Sequence, residues 1–240
     1  MPRNPESGNL EVFLASDPRD NPGRKLGEEY GLNTLHAERC DECSFLEPGT
    51  PDYKKTLEIL PRLIELVGSA DRVNVRFDPI LNLVDGQGHA LTNFDLFPHI
   101  AQRYKEHGVR EFTVSWATIY PRVRRRLVAL GFAELDAGPA VKRRQAHKLK
   151  QWARSLAIRV KGCCTQPFLP GFGCINGDLL CHLHPSWDAC SVEKAPGQRE
   201  LCPCTKSRDI GWYYPCPNGC GYCYAQPGFD PRRASDTGGA

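Results

Sequence analysis

No stretch of this 240-residue chain approaches the run of about 20 apolar residues that spans a bilayer. A membrane partner engaged through a spanning helix is therefore not expected. The N-terminus, Met-Pro-Arg-Asn-Pro-Glu-Ser-Gly, has no apolar signal core, and the expected location is cytoplasmic. Charge of one sign is also scarce. The 31 Lys and Arg stand against 28 Asp and Glu, a net charge of +3. That is too small to predict nucleic acid or an anionic membrane as the main partner, although nucleic acid is not excluded. Periodicity is weak at both ends. Residues 1–50 hold one short strand-like run, Leu10–Ala15, and read as poorly ordered, and residues 226–240 read as a disordered tail. The composition between, 40% apolar and 25% charged over the whole chain, is that of a folded globular protein.

Cysteine is abundant where the rest is sparse. There are 12, of which 10 lie between Cys163 and Cys223. In an exported protein that density means disulfides, whereas without an export signal it points to metal. Cys40-Asp-Glu-Cys43 is a lone pair with neither a strand before it nor a helix after it, and reads as two ordinary thiols.

Residues 51–164 alternate strand and helix. Leu57, Leu60, Leu63, Ile64 and Val67 mark an amphipathic helix over 53–67, and Arg72–Phe77 alternates as a strand that Asp78-Pro79 ends. A helix over 93–107 closes at Gly108, and Arg110–Trp116 is the next strand. Helices over 121–130 and 141–155 follow, then a strand over 156–160 that runs into Cys163 and Cys164. The alternation predicts parallel βαβ units of a βα-repeat, with the countable strands too few to close a barrel. The residues with chemistry follow strands: Arg76 and Asp78, Ser115 and Thr118, Cys163 and Cys164, then Cys216 to Cys223. Parallel α/β sheets place their sites at those carboxyl ends. Arg76 and Asp78 serve equally well as cofactor or substrate contacts and as a plain ion pair. The basic runs Arg122–Arg126 and Lys142-Arg-Arg144 with Lys148 and Lys150 hint at phosphate, and solvated helix faces explain them as well.

Residues 165–225 form a Cys-rich, loop-dominated region, apart from a short helix over 178–183. Its most specific element is Cys216-Pro-Asn-Gly-Cys220-Gly-Tyr222-Cys223-Tyr224-Ala225. Three thiolates on one tight loop can hold three irons of a [4Fe–4S] cube and leave the fourth open. The same softness suits zinc, which Cys202 or Cys204 would complete as a fourth ligand. A second group comprises Cys163, Cys164, Cys174, Cys202 and Cys204. Cys164, Cys174, Cys202 and Cys204 are its candidate ligands for a second [4Fe–4S] cluster or for zinc, against buried thiols acting as small apolar side chains. Cys181, Cys190, His182 and His184 have weaker spacing and stay outside both sets.

The run Asp209-Ile-Gly-Trp-Tyr-Tyr-Pro-Cys216 through Tyr224-Ala225 resembles the cluster loop of radical S-adenosylmethionine proteins, most of all the spore photoproduct lyase-like subset. The resemblance extends over most of residues 53–225 to an uncharacterised domain-of-unknown-function family that carries this loop at its C-terminus. Its similar stretches include Asp71–Ile80, Val114-Ser-Trp, Cys163-Cys164, Gly173–Asp178 and Cys202-Pro-Cys204. It implies a partial or circularly permuted TIM-type barrel, with the family's opening strand-rich segment missing from residues 1–50. It further implies cluster ligation by Cys216, Cys220 and Cys223, S-adenosylmethionine as cofactor with Tyr222 against the adenine, and an electron donor such as flavodoxin or ferredoxin. The expected function is thus a radical-SAM iron–sulfur protein of unknown substrate. The alternative is a zinc-stabilised structural or interaction module without turnover.

Overall fold

The structure, a computed structural model, describes residues 46–48, 50, 53–135, 138–165, 168–169, 173, 175–183, 191–206 and 218–224. Helix α1 spans Tyr53–Val67, followed by β1 (Asn74–Ile80), β2 (Asn82–Asp85), β3 (Ala90–Thr92) and α2 (Phe97–Glu106). Next come β4 (Glu111–Trp116), α3 (Pro121–Ala129), β5 (Phe132–Glu134), α4 (Pro139–Leu156), β6 (Arg159–Gly162) and α5 (Gly177–Leu183). Strands β1, β4 and β6 form a parallel sheet in that spatial order, while β3, β2 and β5 form a small antiparallel one. The mixed α/β class with parallel βαβ units is as expected. Among the described residues the parallel sheet has three strands and does not close into a barrel.

The parallel sheet has two chemically different faces, set by the period-2 alternation of its strands. Val75, Phe77, Phe112, Val114 and Trp116 join Leu57, Leu60 and Leu63 of α1, Phe97 and Ile100 of α2, and Leu149 of α4 in one buried cluster. Three helices therefore share one face. Aromatic rings lock it: Phe77 and Phe112 meet Phe97 edge to face at 5.4 and 5.8 Å, and Tyr104 meets Phe112 at 6.4 Å. Such pairs contribute about 0.5–1.5 kcal/mol each beyond the area they bury. The other face carries Asn74, Arg76 and Asp78 on β1, Glu111, Thr113 and Ser115 on β4, and Arg159 and Lys161 on β6. These residues pair laterally. Thr113 donates to Asn74 at 3.1 Å, and Arg159 and Lys161 both reach Glu111.

Three details depart from the sequence reading. β1 continues through Asp78-Pro79 to Ile80, with an irregular register against β4 after Phe77 that lets the proline stay in the strand. Strand β6 starts at Arg159, later than expected, because Ala157 takes a left-handed conformation that ends α4. The antiparallel sheet was not anticipated. Its three strands are short and rest on a second core of Leu46, Leu81, Leu83, Val123 and Leu127. Gln145 of α4 joins the two sheets by accepting from the Trp116 indole at 2.7 Å and donating to Asn82 at 2.9 Å. The strand expected over 10–15 and the tail expected to be disordered lie outside the described residues.

The Tyr104 ring is wholly buried, its hydroxyl has no hydrogen-bond partner among the described residues, and burial raises its pKa beyond the ordinary phenol value. A buried hydroxyl without a partner costs stability. Tyr104→Phe is therefore expected to leave the urea midpoint unchanged or higher, whereas Phe112→Ala, which opens a cavity, should cost about 3–5 kcal/mol. A Tyr104→Phe variant that loses more than about 1 kcal/mol would contradict this account of the core.

Candidate functional site

On the polar face, Asp78 is held by two neighbours. Arg76 forms an ion pair with it from the same strand, and the Ser115 hydroxyl donates to it from β4. The parallel register and alternation that put Arg76 and Asp78 on one face also set Ser115 beside them. Both partners of the ion pair are largely sheltered, with side chains 25% and 18% exposed, so the pair is screened less than a surface one.

At the carboxyl end of β6 the chain turns sharply. A Cβ on Gly162 would lie 1.6 Å from the Thr165 hydroxyl and 2.9 Å from Leu169, so only glycine allows this approach. Cys164 then adopts φ 51°, a left-handed conformation that costs a side-chain-bearing residue about 1 kcal/mol. Cys163 is buried and its amide bonds to Val114 at 2.9 Å, so the first thiol is fixed by the sheet itself.

Cys202 and Cys204 come to the same place from the far side of the Cys-rich region. The strip 193–206 folds on itself through Ala195–Cys204 and Lys206–Glu193 backbone bonds, and Thr205 bonds to Ile175 at 3.0 Å. Gly173 lies against Cys204, where a Cβ would approach its Cα to 2.6 Å. Arg199 aims its guanidinium at the Cys163 sulfur at 3.9 Å. Burial, and next the neighbouring Cys163, push the Cys164 thiol up to about 11, against the opposing pull of Arg199. Cys202 is raised mainly by burial; the Cys204 amide opposes this, while the Cys204 and Cys163 thiols add to it. These thiols are near enough to perturb one another. Among the described residues, however, no three His, Cys, Asp or Glu side chains form a group that could hold a metal ion. Cys174 lies outside the described residues.

The turn that carries Cys220 and Cys223 lies on the smaller core. From Cys220 to Cys223 every residue of the turn is fastened. Thr50 Oγ1 is 3.6 Å from the Cys220 sulfur, Gly221 donates to the Leu46 carbonyl at 2.8 Å, and the Tyr222 hydroxyl donates to Glu47. The Cys223 amide closes the turn on the Cys220 carbonyl at 3.1 Å, and Arg126 of α3 donates to the Cys223 carbonyl. Arg126 is buried, which lowers its pKa; the adjacent Cys223 thiol works in the opposite direction and Arg122 adds to the lowering. Both thiols remain partly exposed. Cys216 lies outside the described residues.

Tyr222, expected against an adenine, is half-buried with its ring on the smaller core and its hydroxyl engaged. The exposed aromatic surface nearby belongs to Tyr120 and Tyr224, whose rings meet at 5.9 Å. Tyr120 also interacts electrostatically with Arg199, so it stands between the two thiol groups. A cavity of about 230 Å³ opens beyond β1 and β4, lined among others by Ile80, Trp116, Ile119, Lys142 and Phe168. The sequence reading did not single out Glu47, Thr50 or Arg199, and it took Arg126 only as the end of a basic run. Leu46 and Glu47 are wholly buried although they fall in the stretch expected to be poorly ordered. An isolated Arg or Glu carries no motif, and only its contact with a distant cysteine marks it.

A family described as Domain of unknown function (DUF1848) matches residues 30–225. No curated protein and no solved structure matches the chain.

The thiolate is the form that alkylates, so in metal-free protein Cys164 should gain reactivity toward iodoacetamide only as pH nears about 11. Arg199→Gln removes the opposing positive charge and should move that rise to higher pH. Site-resolved mass spectrometry reads both. An ordinary thiol profile at Cys164, unmoved by Arg199→Gln, would contradict the arrangement.

Proposed function

The chain belongs to the DUF1848 family, and on that premise we propose that it is an iron–sulfur protein of radical S-adenosylmethionine type. The observation that carries this reading is the Cys220–Cys223 turn, which is irregular in conformation yet held at each of its four residues. Such bracing fixes two soft donors at one spacing, as a cubane requires. Cys216, Cys220 and Cys223 would hold three irons of a [4Fe–4S] cluster and leave the fourth for the cofactor's amine and carboxylate. The described donors fit: two partly exposed thiols on one turn, beside the buried positive charge of Arg126, which favours an anionic centre. A reduced cluster bound there would supply the one electron that splits the sulfonium of S-adenosylmethionine into methionine and a 5′-deoxyadenosyl radical.

The chain's own residues bind and orient. Glu47 and Tyr222 brace the loop, and the exposed Tyr120 and Tyr224 rings offer the purine a stacking surface next to Cys223. Arg76 and Asp78 supply a sheltered ion pair for a substrate or ribose hydroxyl. The cavity beside Trp116 offers space for a small substrate beyond the strand ends. Cys164, Cys174, Cys202 and Cys204 would carry a second [4Fe–4S] cluster or zinc. The raised thiol pKa values of Cys164 and Cys202 are what a bound cation reverses. A small acidic electron donor of the flavodoxin or ferredoxin kind completes the requirement.

Anaerobic reconstitution should give a brown protein that, once reduced, converts S-adenosylmethionine to 5′-deoxyadenosine. Cys220→Ala should abolish the product and lower the iron content by one cluster. A colourless protein with stoichiometric zinc, or a fully loaded and reduced protein that makes no 5′-deoxyadenosine, would overturn the reading.

A further inference from the structure

Helix α4 carries six Lys and Arg among its 18 residues and no Asp or Glu. The whole chain has a net charge of only +3, so positive charge is concentrated on this helix and on α3, whose nine residues carry four Arg and no acid. Its inner face is fixed, with Gln145, Ala146 and Leu149 buried against the sheet and α2 packed alongside. Arg143, Arg144, Lys148, Lys150 and Arg154 are exposed. Elsewhere, three exposed arginines, Arg62, Arg103 and Arg124, have acidic partners. Among the described residues none of the five on α4 is in an ion pair; Lys148 instead sits over the Trp152 ring at 5.6 Å.

The order of these residues matters. Arg143, His147, Lys150 and Arg154 recur at steps of four, three and four, so they share one stripe that is about 16 Å long at 1.5 Å per residue. Arg144 and Lys148 flank it. A straight row of cations fits a regular row of anions, and arginine forks suit phosphate oxygens. An acidic electron-transfer protein is the other polyanion to weigh, and it must approach the redox centre. The stripe begins near the edge where the strands end, where Lys142 lines the cavity with Trp116, and runs away from it along most of its length. Its Arg154 end lies next to Ala157, which accepts from Arg110 at the start of β6, whereas Cys163 follows the end of that strand.

We propose that the exposed face of α4 binds nucleic acid through the phosphate backbone, without reading base sequence. The low net charge of the chain does not oppose this, since contact is governed by the local row of charge within a Debye length of about 10 Å.

The test is fluorescence anisotropy of the full chain with a short labelled duplex and a short labelled single strand over a salt series. Binding should weaken linearly in log–log form as salt rises. The triple variant Arg143→Gln, Lys150→Gln, Arg154→Gln should bind at least tenfold more weakly, and its salt slope should be shallower by roughly two to three contacts' worth. A second triple variant, Lys54→Gln, Lys55→Gln, Lys206→Gln, matches the net charge and should keep most of the affinity. Far-ultraviolet circular dichroism checks that both variants fold. Three results would overturn the proposal: no binding at low salt, equal losses in the two variants, or polyglutamate competing better than nucleic acid.

Discussion

Strand β4 has a partner on each side, and the rest of the chain follows from what its two faces require. Phe112, Val114 and Trp116 point to one side, where three helices exclude water from them. Glu111, Thr113 and Ser115 point to the other, where each meets a polar group of β1 or β6. A buried polar group without such a partner would be destabilising. The lateral pairs therefore both fix the register and decide that the helices share one face. A doubly wound sheet, with helices on both sides, would have buried Glu111, Arg76 and Lys161 against apolar side chains. Among the described residues, helices lie on a single face of this sheet and polar residues on the other.

This arrangement determines where chemistry can collect. The parallel strands end together, which puts the turn after β6, and with it Cys163 and Cys164, at one edge. The Cys-rich region returns Cys202 and Cys204 to that edge through a bridge between Lys194 and Thr205 and backbone bonds to residue 175. The Cys220–Cys223 turn is placed by different means. It rests on the smaller core, and its partners come from Leu46–Thr50 and from Arg126, far away in sequence. Tyr120 joins the two, touching Tyr224 on one side and sensing Arg199 on the other.

Much of the parallel sheet was legible from sequence because it is built from strong periodic signals. Leu57, Leu60, Leu63 and Val67 state the first helix, and Glu111 to Trp116 alternate with stops on either side. The small sheet was less legible, although Asp85-Gly-Gln-Gly between Leu83 and Leu91 is a turn signal; its strands are too short to show a period. Cysteine spacing pointed to the thiol groups but not to what holds them. The contacts of Glu47 with Tyr222 and Arg126 with Cys223 join residues more than 90 positions apart. No local pattern encodes such pairs. Cys163 illustrates the same limit: it adjoins Cys164 in the chain, and only the fold shows it under Arg199.

On the proposed reading, the loop holding Cys220 and Cys223 supports a [4Fe–4S] cluster with one iron free of protein ligands. Mössbauer spectroscopy of protein reconstituted with isotopically enriched iron tests it most directly. Adding S-adenosylmethionine should change the isomer shift of one iron in four and leave the other three unmoved. Four irons that stay equivalent with and without the cofactor, or the absence of any cluster signal that Cys220→Ala removes, would contradict the account.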